Sequence, residues 1–102
     1  MSIDRTLSQF QKSCLLELDR ALAPLGRRVT EPHLSGEHET YAQLRVADSD
    51  IEICIYEDEA TFSVPGTHRM YERFDHRSPE DLIGAFVKGV LEFLEREGSP
   101  KP

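Results

Sequence analysis

No apolar run in this chain approaches the ~18 residues needed to span a bilayer. The longest, "LIGAFVKGVLEFL", is interrupted by Lys88 and Glu92. The opening "MSIDRTLSQFQKS" lacks the basic stretch and apolar stretch of a secretory signal. These absences predict a cytoplasmic protein with no membrane partner. Cysteine is scarce as well: Cys14 and Cys54 stand alone, too few for a disulfide scaffold. Basic residues are in deficit, 12 against 19 acidic, for a formal charge of −7. Nucleic-acid binding draws its affinity from Lys and Arg neutralising phosphates, so this balance excludes DNA and RNA as expected partners. An anionic membrane surface is repelled for the same reason. A basic protein, by contrast, is attracted and steered. Acidity also serves solubility alone, and that plainer reading stands beside the first.

The chemistry-bearing motifs are missing too. There is no G-x-S-x-G, no H-E-x-x-H and no glycine loop of the kind that cradles phosphate. A chain of 102 residues makes one domain, taken as 1–98 with a tail at 99–102, and supports one core without a deep cavity. No cofactor is expected.

Helical spacing marks both ends of the chain. Ile3, Leu7, Phe10, Cys14, Leu15, Leu18, Ala21, Leu22 and Leu25 recur three and four apart, with Pro24 and Gly26 as the stop. Cys14 falls in this stripe and reads as a buried structural thiol. Near the other end, "SPED" is a helix start: Ser78 caps, Pro79 takes the first position, and two acids occupy the first turn. Leu82, Ile83, Phe86, Val87, Val90, Leu91 and Leu94 follow as its apolar stripe, with Gly98 as the stop. Gly84 and Gly89 inside it each cost about 1 kcal/mol against Ala, which predicts close backbone approach to the first helix or to a partner.

Between the helices the period changes to two. "YAQLRVA" offers Ala42, Leu44 and Val46; "IEICIY" offers Ile51, Ile53 and Ile55; "ATFSV" offers Ala60, Phe62 and Val64. After Pro65-Gly66, "RMYERF" forms a fourth strand with Met70 and Phe74 inward. Residues 27–40 lack period and read as a long connection with a short strand near Arg28–Thr30. The expected fold is α+β: helix, a three- to four-stranded antiparallel meander, helix, with both helices packed on one sheet face.

The face away from the helices then carries Tyr41, Gln43, Arg45, Glu52, Cys54, Tyr56, Thr61, Ser63, Tyr71, Arg73 and Asp75 by alternation. All three tyrosines fall there, and Cys54 points away from Cys14. Tyr and Arg dominate interface hot spots because each combines contact area with a polar handle. Cross-strand Tyr–Arg and Tyr–Glu pairs also stabilise an exposed sheet with no partner at all. Glu72 is discordant, since the same alternation turns it inward, and it is expected to be exposed or paired to Arg69.

Catalytic arrangements fare worse. His33, Glu37, His38 and Glu39 lie in a loop with no metal-ligand spacing. His68 and His76 sit at opposite ends of the fourth strand, and Asp75 and His76 point to opposite sides. "RFDHRSPEDL" is a strand-to-helix junction that requires no reaction. Neither catalytic nor metal-binding residues are assigned, and the protein is read as a non-enzyme.

"IEICIYEDEATFSV" followed by "YERFDHRSPEDLIGAFVKGVLEFLE" resembles the strand–turn–strand, strand, capped-helix ending of small acidic bacterial immunity proteins of toxin systems. The resemblance covers residues 41–97 and implies a binding module that occludes a basic toxin. Its contact residues would be Tyr41, Arg45, Tyr56, Tyr71 and Arg73 on the open face, with Glu52, Glu57, Asp58 and Glu59 as an acidic rim. The architecture is also similar to type III secretion chaperones, which implies a dimer that holds an effector segment. This chain is shorter and has no room for their later strands. A homodimer through the open face is compatible with either.

Overall fold

The computed structural model describes residues 7–35 and 41–97. Helix α1 spans Gln9–Leu22 and opens on a capping box, in which Ser8 Oγ accepts from the Gln11 backbone N–H and Gln11 Oε1 accepts from that of Ser8. A 3-10 turn at Ala23–Leu25 and left-handed Gly26 (φ 72°) end it, while Leu25 is left exposed. Five strands follow: β1 His33–Ser35, β2 Tyr41–Arg45, β3 Glu52–Ile55, β4 Glu59–Val64 and β5 Thr67–Glu72. A second 3-10 turn at Arg73–Asp75 leads to helix α2, Pro79–Glu97. Ser78 caps α2 by accepting from the Asp81 N–H at 3.1 Å, and Glu80 and Asp81 lie in its first turn.

All pairings are antiparallel and the spatial order is β1-β2-β3-β4-β5. The sheet therefore has five strands rather than three or four. The additional one, β1, lies inside the segment read as a connection, and at three residues it is too short to show a period. The expected strand near Arg28–Thr30 is a single bridge, Val29 to Val46. Residues 1–6, 36–40 and 98–102 lie outside the described part, and with them Ile3, Gly98 and the tail.

Ala42, Leu44, Ile53, Ile55, Ala60 and Phe62 are buried on one sheet face together with Cys14, Leu18 and Leu22 from α1 and Leu82, Phe86 and Val90 from α2. Both helices thus pack on that face, and its opposite remains uncovered by either. The β-branched Ile51, Ile53 and Ile55 suit this position, stiff at χ1 and apolar on alternate residues.

The register of β5 is opposite to the expected one. Pro65 and Gly66 (φ 88°) are the two central residues of the β4–β5 turn, the order favoured in a type II turn. Val64 then pairs with Thr67, Phe62 with Arg69 and Ala60 with Tyr71, so Tyr71 shares the inner face with Phe62. Its ring stacks on Phe62 at 6.3 Å and meets Phe86 edge-on at 5.8 Å. Met70 points outward and Phe74 stands 80% exposed in the following turn. A shift of one residue moves every side chain of a strand to the other face. Glu72 consequently lies outward, across from Glu59, and not against Arg69.

Candidate partner-binding face

The outer face is organised in rows that cross the strands. One row runs His33, Gln43, Cys54, Thr61, Met70; the next runs Arg45, Glu52, Ser63, His68. Alongside them Tyr41 and Tyr56 stack with ring centroids 4.8 Å apart and planes 25° from parallel. Both rings are half-buried against the sheet, so they present flat apolar area that is already ordered. Arg45 donates to the Glu52 carboxylate at 3.1 Å across the β2–β3 pair, with both side chains about half exposed. A pair this wet contributes at most about 1 kcal/mol to folding, and its charges remain available at the surface.

Beside Tyr56 the chain turns through Glu57 and Asp58, both exposed, into Glu59 at the head of β4, where the Tyr56 N–H donates to the Glu59 carbonyl at 2.8 Å. Partial burial, then Cys54 and Tyr41, push the Tyr56 phenol up from its ordinary range, and Glu59 adds to the effect. The phenol stays neutral and keeps its proton to donate. Cys54 is raised by burial too, although its hydrogen bonds with Tyr56 and Thr61 act in the other direction. A raised thiol is a poor nucleophile at neutral pH.

No protein-family model, curated protein or solved structure matches this chain. Its own geometry therefore carries the functional argument.

Of the residues singled out in the sequence, Tyr41, Arg45, Glu52 and Tyr56 come together on the outer face, with Glu57, Asp58 and Glu59 at its margin. Two do not join them. Tyr71 lies under α2 for the reason of register given above. Arg73 sits in the 3-10 turn, where its guanidinium donates to the His76 carbonyl at 3.3 Å. In their place β5 supplies Met70, which alternation from the wrong starting residue had turned inward, and His68, read only as the end of the strand. The two-residue turn Pro65-Gly66 was the signal that would have found them, because it forces Thr67 to share the inward direction of Val64.

No cluster of three or more His, Cys, Asp or Glu side chains suited to a metal occurs among the described residues. His76 Nδ1 hydrogen-bonds the Glu72 carbonyl at 2.9 Å and closes the turn before α2. An open depression of about 660 Å3 at one end of the molecule is lined by Arg27, Thr30, Arg45, Asp48 and Asp50 among others, mixing both signs of charge without a buried titratable group. The outer sheet face adjoins this depression through Arg45. It offers ordered aromatic area, a cross-strand ion pair and an acidic margin.

Proposed function

We propose that the protein is a small acidic protein-binding module whose outer sheet face covers a basic partner, in the manner of an immunity protein occluding a toxin. The observation that supports this reading is the Tyr41–Tyr56 stack beside the acidic Glu57-Asp58-Glu59 turn. Pre-stacked rings bury area on docking at little conformational cost, while the acids and the formal charge of −7 raise the encounter rate with a cation-rich surface. Affinity and rate are thus assigned to separate residues.

The test follows that division. The tagged chain is used to capture a basic protein from a lysate of the cells that make it, and the affinity of the isolated pair is then measured. Tyr56→Ala is expected to weaken the complex by more than about 1 kcal/mol with folding intact. Glu57→Gln with Asp58→Asn is expected to slow association and reduce its salt dependence while dissociation changes little. An affinity indifferent to Tyr56→Ala removes this face as the binding site.

A further inference from the structure

β5 is one edge of the sheet, and among the described residues only β4 pairs with it. Val64 and Thr67 close the two-residue turn, so Thr67, Arg69 and Tyr71 direct their backbone groups to β4. His68, Met70 and Glu72 direct theirs outward. Edge strands are templates for pairing, and proteins blunt them with proline, bulges, very short strands or charged side chains, of which β5 carries the inward-pointing Arg69. β5 has six residues without proline, and its register with β4 runs unbroken from Glu59↔Glu72 to Val64↔Thr67.

The side chains of this edge complement themselves. We propose that β5 is a dimer interface at which two copies of this chain pair antiparallel about a two-fold axis through Met70. That register sets His68 across from the partner's Glu72 and Arg69 across from the partner's Tyr71. An imidazole N–H then faces a carboxylate on the outer side, and a guanidinium faces an aromatic ring on the inner side. The register centred one residue earlier sets Arg69 against its own copy, which like-charge repulsion disfavours. Of these two registers, the Met70 axis places donors opposite acceptors.

Two further features converge on this edge. Met70, 48% exposed, would meet its own copy on the axis, and Phe74, 80% exposed, stands at the end of the pairing. Glu72 also lies across from Glu59 within the chain, and a partner's imidazole N–H next to Glu72 would donate to its carboxylate. The Glu72 carbonyl accepts from His76 Nδ1, and a carbonyl has a second lone pair for the inter-chain bond. The proposed sheet has ten strands. The Tyr41–Tyr56 stack lies at a distance from the axis on β2 and β3, so this proposal does not depend on the function proposed above.

The experiment is sedimentation of the full chain over a concentration series, with circular dichroism to verify folding of each variant. The expected result is a monomer–dimer equilibrium in the wild type that His68→Glu weakens at least tenfold by setting carboxylates against each other. Adding Glu72→Lys to His68→Glu restores it. In a Cys54→Ser background, Met70→Cys is expected to yield a disulfide-linked dimer, because a hydrogen-bonded antiparallel pair holds its Cα atoms at about 5.5 Å, within disulfide reach. This cross-link decides the matter should His68→Glu fail to fold. A monomer up to millimolar concentration, a dimer indifferent to His68→Glu, or loss without recovery in the double variant overturns the proposal.

Discussion

Gln11 is fully buried, and it ties two elements together. Its Oε1 accepts the Ser8 backbone N–H at 2.7 Å as half of the capping box. Its Nε2 donates to the Ile55 carbonyl at 3.0 Å at the end of β3. Gln11→Ala would leave that buried carbonyl and the part-buried Ser8 N–H without these partners, so a loss of about 2–3 kcal/mol is expected from urea denaturation. Gln9→Ala, two residues away and exposed, should fall within about 0.5 kcal/mol of wild type. Gln11 occupies a stripe position, four residues after Leu7 and three before Cys14, yet its polar type conceals its burial from a reading based on apolar residues. The pattern Ser8-x-x-Gln11 was legible as a cap. That its second end crosses to a strand 44 residues away was not, since no local period encodes a tertiary hydrogen bond.

The elements differ in how far their sequences reveal them. α2 was readable from Ser78 to Leu94 because cap, charge and a 3.6-residue period agree. β5 was readable as a strand but not by face, because Met70 and Phe74 outweighed the turn that governs register. The two glycines of α2, alike in sequence, separate in the structure. At Gly84 an added Cβ meets nothing within 4 Å, whereas at Gly89 it overlaps the Tyr71 hydroxyl and comes within 3.3 Å of the Phe62 ring. The close approach expected of both thus belongs to Gly89, and it is to the sheet rather than to α1. Gly84→Ala should therefore stabilise the protein by up to about 1 kcal/mol through helix propensity. Gly89→Ala should destabilise it by about 1–3 kcal/mol through overpacking. Chemical denaturation measures both changes. In a Tyr71→Phe background the cost of Gly89→Ala should shrink, because the hydroxyl that the methyl would strike is gone.

At the scale of the molecule, folding buries the Cys14 thiol and burial pushes it up from 9.0 to about 12. Below pH 9 folded and unfolded chains both keep that proton, and the stability it carries is fully present. Above pH 9 the unfolded chain releases it while the folded chain holds it until about pH 12. Stability should therefore fall as pH rises through this window, by about 1.4 kcal/mol per unit from this one group. Cys54 and Tyr56, raised in the same direction, steepen the fall. Urea midpoints from about pH 8 to about pH 10.5 should show this slope, and Cys14→Ala should flatten it in part. The fold class and the helix-covered face were legible in the sequence because both follow from alternation and amphipathic period. The outer face was legible on β2 and β3, where the isoleucines fix parity, and lost on β5, where one turn decides it.

The strand order has a consequence for how the chain is made. Each strand pairs with its neighbour in sequence, so every closure within the sheet is short and can proceed as synthesis advances. The side chains that seal the inner face, Leu82, Phe86 and Val90, all lie beyond the last strand. A nascent chain that has finished its meander therefore carries an apolar sheet with half of its cover still unmade. For that interval its greatest exposure to aggregation comes not from the surface it will show when folded but from the one it is about to hide.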